Sequence, residues 1–338
     1  MTAEETPSTA ASWNATLAPF KQPVLAKSLW QLASTTVLLA ANVVLMYLSL
    51  DVGYWLTLVL AVPGAFLLIR LFIFQHDCGH GAFFASTGAA NVVGAVIGVL
   101  TLTPYAYWRR AHALHHATSG NLDHRGFGDI DTLTVGEYLA RDRWGRFKYR
   151  VYRHPLSLFV IGAQFHFFIR HRWPGIVPRE WRRERRSILW TNLGVAALIG
   201  AGCLALGPAT FLKLYLPMMM MSCSLGVWLF YVQHQFEPTY WEHDEQWEFV
   251  SAALDGSSYY ELPAVLQWLT GNIGLHHVHH LNSRIPNYHL QKVFDTHPEL
   301  HRVTRISLWQ SLRCMSLALW DESERKLIPF SRVAAAST

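Results

Sequence analysis

Four long apolar runs dominate the distribution of hydrophobic and polar positions along the chain. They cover roughly residues 30–50, 52–74, 188–206 and 211–232. Each run is long enough to cross a bilayer as a helix, which takes about 20 mostly apolar residues. Only a few residues separate the members of each pair, so the pattern predicts two membrane-spanning hairpins.

Two further apolar stretches, 89–105 and 155–169, fit a membrane span less well. The first is short and rich in glycine and ends at Pro104, and the second contains Gln164 and His166. We predict that both are re-entrant or interfacial segments. If 89–105 does not cross the membrane, the polar segments on either side of it lie on the same side.

These runs predict an all-α integral membrane protein with four transmembrane helices, arranged as two hairpins, and a cytoplasmic helical domain. The predicted regions are a flexible cytoplasmic tail (1–29), the first hairpin (30–74), a cytoplasmic or interfacial region (75–187), the second hairpin (188–232) and a cytoplasmic region with C-terminal helices (233–338).

Composition and charge support this interpretation and orient it. Hydrophobic residues make up 51% of the chain and charged residues 15%, whereas about 25% is usual for soluble domains. Of the 28 Lys and Arg residues, sixteen lie in 105–186 and eight in 233–338. Since positive residues favour the cytoplasmic side, both regions and both termini are predicted to be cytoplasmic. We expect the membrane to be a bacterial inner membrane.

The net charge of +5 favours an anionic lipid surface or an acidic partner over nucleic acid. The N-terminus has no basic region before an apolar core, so it does not resemble a secretory signal. The four cysteines are scattered without a CxxC pair, which argues against a disulfide framework or an iron–sulfur cluster.

Histidines are frequent, with 18 in the chain, and several follow a helical spacing. Residues at i, i+3 and i+4 share one face of a helix. "HALHH" and "HHVHH" both place histidines at these positions, and "QHDCGH" places two at i, i+4. His277 lies about 100° around the helix from its neighbour, so we expect it to point elsewhere. The resulting set is His76, His80, His112, His115, His116, His276, His279 and His280, with His234 at the end of the fourth span.

The repeated helical spacing of this set predicts metal binding. Eight or nine imidazoles exceed what one ion accepts, so the set suits two ions with four or five ligands each. Imidazole binds iron, zinc, copper and nickel, so ligand type alone does not select the metal. A closed structural zinc site usually includes thiolates, and haem ligation would need histidines inside the spans, where the sequence has none.

The chain resembles the membrane-bound fatty acid desaturases. The resemblance rests on three histidine boxes in the expected order, "HDCGH" at 76–80, "HALHH" at 112–116 and "HHVHH" at 276–280, and on "QHQFE" at 233–237. Their flanks, such as "GHGAFFAS" and "IGLHHVHHLNSRIPNY", extend it over roughly residues 30–300. It implies that the nine histidines hold two non-haem iron ions in a cytoplasmic di-iron domain and that dioxygen is a co-substrate.

The resemblance also implies the substrate and the electron source. "HDCGH" has three residues between its histidines, and it is most similar to the acyl-lipid group acting at delta-12 (omega-6) or omega-3. The expected substrate is an acyl chain of a membrane lipid or an acyl thioester. The His-Pro-Gly-Gly signature of a fused cytochrome b5 domain does not occur, so we expect an external donor of ferredoxin or cytochrome b5 type with its reductase.

Several neighbouring residues have weaker predicted roles. Asp77, Glu237 and Asn272 are candidates to orient the ligands, and Asn272 lies at position i−4 relative to His276. Trp108, Arg109 and Arg110 precede the second box and are candidates for contact with the membrane interface and lipid headgroups. Apolar residues at helical spacing in 305–320 predict a helix that lies on the membrane or packs on the site domain.

Two other functions remain open at this stage. Hydroxylases and ketolases acting on alkanes, sterols or carotenoids share the scaffold but deliver oxygen to the substrate. A metal transporter or metal sensor is the non-enzymatic alternative, although transport sites lie near the bilayer midplane and the predicted span interiors are nearly free of ionisable groups.

Overall fold

Helices make up most of the computed structural model, which describes residues 9–126 and 128–335. In chain order they are α1 (Ala10–Thr16), α2 (Leu25–Ser49), α3 (Tyr54–His80), α4 (Thr87–Leu100), α5 (Tyr105–Thr118), α6 (Val135–Ala140), α7 (Arg143–Arg153), α8 (Arg182–Leu206), α9 (Pro208–His234), α10 (Phe249–Leu254), α11 (Ala264–Leu269), α12 (His276–Leu281), α13 (Asn287–Thr296), α14 (Leu308–Cys314) and α15 (Phe330–Ala335).

The four predicted spans are confirmed as the four helices α2, α3, α8 and α9, each long and apolar enough to cross a membrane. α2 is followed directly by α3, and α8 by α9, which gives the two hairpins. α3 and α9 pack closely, since a Cβ at Gly64 would lie 2.7 Å from Met218 Sδ. α3 continues past the predicted end at residue 74 to His80, so the first histidine box forms the last turns of a span.

The stretch predicted to be re-entrant forms α4, which turns by 101° into α5. The turn includes Leu102, whose φ is +56°, and Pro104, which cannot donate a backbone hydrogen bond and so favours a new helix start. If α4 and α5 were one broken span, there would be five crossings among the described residues. The interfacial placement of α4 stays a prediction.

The other ambiguous stretch forms π-helical turns, Leu156–Gly162 and Phe165–Ile169. One side is buried through Leu158 and Phe159, and the opposite side exposes apolar residues such as Ile161. An exposed apolar side of this kind is typical of contact with lipid.

The N-terminal segment differs from the flexible tail expected for residues 1–29. Residues 1–8 lie outside the described residues, but α1 is a capped helix in which Thr9 Oγ1 accepts from the backbone N–H of Ser12. Trp13 and Leu17 are 1% and 0% exposed and belong to a core cluster with residues of α12 and α13. The segment is packed because these two apolar side chains lie one helical turn apart on the same face.

Short strands accompany the predicted helices, one in the region 75–187 and four in the C-terminal region. β1 (Leu133–Thr134), β2 (Tyr259–Glu261), β3 (Arg305–Ser307), β4 (Leu319–Asp321) and β5 (Lys326–Ile328) form two small sheets. β1 pairs in parallel with β4, which pairs antiparallel with β5, and β2 pairs in parallel with β3.

The stretch 305–320, predicted to be one helix, is divided by these pairings into β3, the seven-residue α14 and the start of β4. Ser307 ends the strand and caps α14, since its Oγ accepts from the backbone N–H of Gln310. Ile306 and Cys314 are buried in a cluster with Tyr231 of α9, so this stretch packs on the core, although Trp309 is 78% exposed.

Candidate metal centre

Four elements bring the nine predicted histidine ligands together. His76 and His80 end α3, the second box lies in the last two turns of α5, His234 ends α9, and the third box begins α12. Seven of the nine side chains are buried and two are half-buried.

The nine histidines divide into two groups, in each of which one nitrogen per residue lies within 4.8 Å of all the others. The five-histidine group is His76, His80, His112, His116 and His279. The four-histidine group is His115, His234, His276 and His280.

Helical geometry explains how the boxes contribute to both groups. His112 and His116 are one turn apart and enter the five-histidine group together, whereas His115, directly before His116, enters the other group. In α12, His276 and His280 pair in the same way and His279 faces the five-histidine group. Adjacent histidines point about 100° apart, so one short helix supplies ligands to two neighbouring positions.

The ring nitrogens converge closely inside each group. In the four-histidine group, His234 Nε2 lies 3.1 Å from His115 Nε2 and 3.0 Å from His276 Nε2. In the five-histidine group, His116 Nε2 lies 3.1 Å from His112 Nε2 and 3.0 Å from His279 Nε2. A neutral imidazole has one donor and one acceptor nitrogen, so a nitrogen that meets two others cannot make a full hydrogen bond to each. A cation shared by the three rings would satisfy the lone pairs that remain.

Hydrogen bonds on the far side of three rings fix which nitrogen faces each group. His234 Nδ1 lies 3.1 Å from the carbonyl oxygen of Gly256, which can only accept, so Nδ1 carries the proton and Nε2 the lone pair. His115 Nδ1 meets the carboxylate of Asp129, and His76 Nδ1 lies 3.1 Å from Asp77 Oδ1. Such partners set the tautomer and ring orientation of metal-bound histidines.

Gly128 brings the loop that carries Asp129 close to α5. Its φ is +87°, in the left-handed region, and a Cβ at this position would lie 3.1 Å from the backbone oxygen of Ala111. Glycine tolerates both the conformation and the close approach. The loop can therefore deliver the Asp129 carboxylate to the ring of His115.

Burial keeps the imidazoles in the form that binds metal. Desolvation, followed by the repulsion of neighbouring histidines, lowers the pKa of His112, His116, His276, His279 and His280 well below the usual 6.5. At neutral pH these rings are uncharged, and a neutral ring has a free lone pair for a metal.

The residues present fit two metal ions. Nε2 of His76, His80 and His280 is buried and has no hydrogen-bond partner among the described residues. Orphaned buried nitrogens are costly unless an unseen ligand satisfies them. The ligand atoms are all imidazole nitrogens, which suit iron, zinc, copper and nickel, and the two groups have different ligand numbers, five and four.

His277 lies outside both groups, on the other side of α12. It is fully buried, with its ring 5.7 Å from that of Phe294 and 6.2 Å from that of Tyr259. Its environment is the core cluster that also contains Trp13.

The three residues expected to orient ligands have different environments. Asp77 contacts His76 directly. Glu237 accepts a hydrogen bond from the backbone N–H of Leu327, and burial raises its pKa to about 7. Asn272 donates from Nδ2 to the backbone oxygen of Asn287 at 3.3 Å. Its φ of +58° places it in a turn before α12, so the helical i−4 relation to His276 does not apply.

Trp108 lies against two of the predicted metal ligands. Its indole stacks on His112, with ring centroids 4.5 Å apart and planes at 21°, and is 5.6 Å from the ring of His76. The spacing of Trp108 and His112, one helical turn, is the sequence signal for this contact.

The two arginines after Trp108 contact other helices. Arg109 Nη1 lies 3.4 Å from Asn91 Oδ1 of α4. Arg110 pairs with Glu184 at 3.3 Å and lies over the ring of Trp181. Both arginines therefore help to hold α5 against its neighbours, and the lipid contact expected for them stays a prediction.

Comparisons with known proteins show which family the chain resembles. The model of the fatty acid desaturase family matches residues 52–310. A protein named fatty acid desaturase from Bacillus subtilis (strain 168) is 46% identical over 317 residues, which cover 94% of this chain and 90% of that protein.

More distant relatives have more specific names. The omega-3 fatty acid desaturase of the endoplasmic reticulum from Nicotiana tabacum is 27% identical over 271 residues, covering 76% of this chain and 68% of the relative. The sn-1 acyl-lipid omega-3 desaturase (ferredoxin) from Synechocystis sp. is 27% identical over 253 residues, covering 71% and 68%.

Proposed function

The chain belongs to the fatty acid desaturase family, a family of oxidoreductases, and from that premise we propose that it introduces a cis double bond into a lipid-linked acyl chain with two iron ions and dioxygen. The observation that carries the proposal is the division of nine histidines into a group of five and a group of four, in each of which one nitrogen per residue lies within 4.8 Å of all the others. Each group would hold one iron, with His76, His80, His112, His116 and His279 around one ion and His115, His234, His276 and His280 around the other.

The overall reaction removes two hydrogens from adjacent methylenes. R–CH2–CH2–R, O2, two electrons and two protons become R–CH=CH–R and two waters, so the acyl chain supplies half of the electrons and an external donor the other half. When bound, the iron ions supply the activation of dioxygen that makes an unreactive C–H bond accessible to oxidation.

The chain's own residues hold and shield this chemistry. The Nδ1 contacts of His76, His115 and His234 keep their rings in one orientation, which preserves the geometry of the ligand set. Trp108 covers one side of His112 and limits the access of water to the ligands. An acyl chain has no polar group near the reacting carbons, so the shape of the protein around it must set the position of the bond.

We place the metal centre on the cytoplasmic side of a bacterial inner membrane, with both termini. α3 and α9 are each the second helix of a hairpin, and α4 and α5 are proposed not to cross the membrane between them, so the C-terminal ends that carry His80 and His234 face the same side. The concentration of Lys and Arg in 105–186 and 233–338 supports the cytoplasm as that side.

The proposed substrate is an acyl group of a membrane lipid, with a delta-12 (omega-6) type of regiospecificity, and the proposed electron donor is of the ferredoxin type. The printed name of the Synechocystis relative, an acyl-lipid desaturase with ferredoxin, supports the substrate class and the donor. The first box, "HDCGH", supports the regiospecificity. Two relatives are named omega-3 desaturases, so the omega-3 position is the first alternative to test.

The test is expression in a host whose saturated and monounsaturated lipids are known, with double bonds of the extracted acyl chains mapped by gas chromatography and mass spectrometry. We expect new cis double bonds with the wild-type chain and none with His279→Ala. New oxygenated acyl chains without new double bonds would contradict the proposal and indicate a hydroxylase or ketolase.

A further inference from the structure

Asn287 is a fully buried polar residue at the start of α13, in the segment "LNSRIPNY" that follows the third histidine box. Its backbone N–H donates to Asp77 Oδ2 at 2.7 Å, and its side-chain Nδ2 donates to the same oxygen at 2.9 Å. Two donors from one residue therefore hold one oxygen of a buried carboxylate.

The other oxygen of that carboxylate reaches a metal ligand. Asp77 Oδ1 lies 3.1 Å from Nδ1 of His76, and Asp77 and His76 are 2% and 3% exposed. Nε2 of His76 is buried without a hydrogen-bond partner among the described residues and belongs to the five-histidine group. Contacts thus run from Asn287 through Asp77 to the ring that would bind the metal.

The far side of the Asn287 amide is held by α2. Asn287 Oδ1 accepts from Gln31 Nε2 at 3.0 Å, and Asn287 Nδ2 lies 3.2 Å from Gln31 Oε1. An amide nitrogen has two hydrogens, and here one points to Asp77 and the other to Gln31. Both donors are used, so the amide has one orientation and presents a donor to the carboxylate.

Position 287 also explains why this carboxylate is accepted in the core. Asp77 lies at the N-terminus of the ten-residue α13, where the helix dipole and a free backbone N–H interact favourably with negative charge. Leucine, which is similar in size to asparagine, would remove the side-chain N–H that donates to Asp77 Oδ2. Aspartate at position 287 would place a second carboxylate against that of Asp77.

We propose that Asn287 is a positioning residue for the metal centre: it fixes the Asp77 carboxylate so that Oδ1 holds Nδ1–H of His76 and directs Nε2 of His76 into the five-histidine group. The inference rests on the proposed metal-dependent function. The proposal gives the segment after the third box a role, since "RIPN" ends with Asn287, which orients His76 of the first box.

The test compares two substitutions at opposite ends of the same hydrogen-bonded amide. Asn287→Leu removes the side-chain bond to Asp77. Gln31→Leu, the matched control, removes the bonds to the far side of Asn287 and leaves the bond to Asp77 in place. If Asn287 only ties α13 to the membrane helices, both variants have the same effect.

The full chain is purified in detergent, stripped of metal and titrated with Co²⁺, whose visible absorption reports the number and geometry of its ligands. We expect Asn287→Leu to weaken one of the two Co²⁺ sites by about 10- to 100-fold, the loss typical when the partner of a metal-bound histidine is removed. The absorption of that site should change as well. Gln31→Leu should lose clearly less affinity than Asn287→Leu and keep the wild-type spectrum, because the bond from Asn287 Nδ2 to Asp77 Oδ2 remains.

Equal affinities for wild type and Asn287→Leu, or equal losses in both variants, would overturn the inference. Asn287→Ala is the second variant if the leucine variant does not fold, because it retains the backbone bond to Asp77, and a loss smaller than that of Asp77→Ala is expected. A wild-type chain that binds no second metal would contradict the proposed function instead, so the two failures are distinguishable.

Discussion

Trp13 offers a sharp test of the packing behind the third histidine box. The residue is 1% exposed and belongs to a core cluster with Leu275, Val278 and Leu281, which lie in or next to α12. If the N-terminal segment stabilises α12 from behind, Trp13→Ala destabilises the folded chain. If the segment is a loose tail, the substitution has no effect.

The expected magnitude follows from the burial of the side chain. A buried tryptophan removes about 150–250 Å² from water, and at about 25 cal/mol per Å² this stabilises the fold by roughly 4–6 kcal/mol. Nε1 of Trp13 is buried without a partner among the described residues, and such an unmade bond costs about 1–3 kcal/mol. The net loss in the alanine variant is therefore about 1–5 kcal/mol, a range that includes the roughly 3–5 kcal/mol found for large aromatic residues in cores.

The assay is a denaturant titration of the purified full chain in detergent, monitored by near-ultraviolet circular dichroism. Trp309→Ala is the matched control, since Trp309 is 78% exposed and such surface substitutions usually change stability by no more than about 0.5 kcal/mol. Equal stability of wild type and Trp13→Ala, or equal losses for both alanine variants, would refute the packing argument.

Three further predictions concern the site and its surroundings. Trp108→Ala should lower the iron content of the purified chain because it uncovers the imidazole of His112, whereas Trp108→Phe should retain most of the iron; equal iron in both variants would contradict a shielding role. His279→Ala should lose iron and His277→Leu should keep it, since only His279 lies in a histidine group; the reverse result in metal analysis would reject the assignment. Glu237→Gln should be more stable than wild type at pH 8 but not at pH 4. Burial raises the pKa of Glu237 in the folded chain from 4.5 to about 7, so between these pH values the native state keeps a proton that the unfolded state releases. The stability of the wild type therefore falls as pH rises through this window, and glutamine, which does not ionise, avoids the loss. A stability difference in denaturant titrations that is the same at both pH values would contradict that reasoning.

Regular spacing made the spans and the clustering of the histidines predictable. A run of apolar residues identifies a spanning helix without any tertiary information, and the i, i+3, i+4 pattern identifies histidines that share a short helix. The pattern also separated His277 from its neighbours. It did not show that the second and third boxes each serve both groups, because that depends on how α5 and α12 pack against α3.

The residues that orient the ligands were harder to find because their partners are distant in sequence. Asp129 and Gly256 are loop residues with no spacing that links them to His115 and His234. Asn287 reaches Asp77 across 210 positions. Such contacts arise from tertiary packing, which the sequence pattern does not encode.

Local backbone geometry explains two other differences. Asn272 was assigned a helical relation to the third box, but Gly271 and Asn272 both have a φ of +58°, so the chain turns before α12 begins. The strands of the C-terminal region have only two or three residues each, which is too short for an alternating pattern to distinguish them from a helix.

The iron content of the purified chain tests the central claim most directly. Wild type should contain two irons per chain, and single alanine substitutions at His80 in the five-histidine group or His280 in the four-histidine group should each reduce that content. One metal ion per chain in the wild type, or zinc in place of iron in an active preparation, would contradict the account.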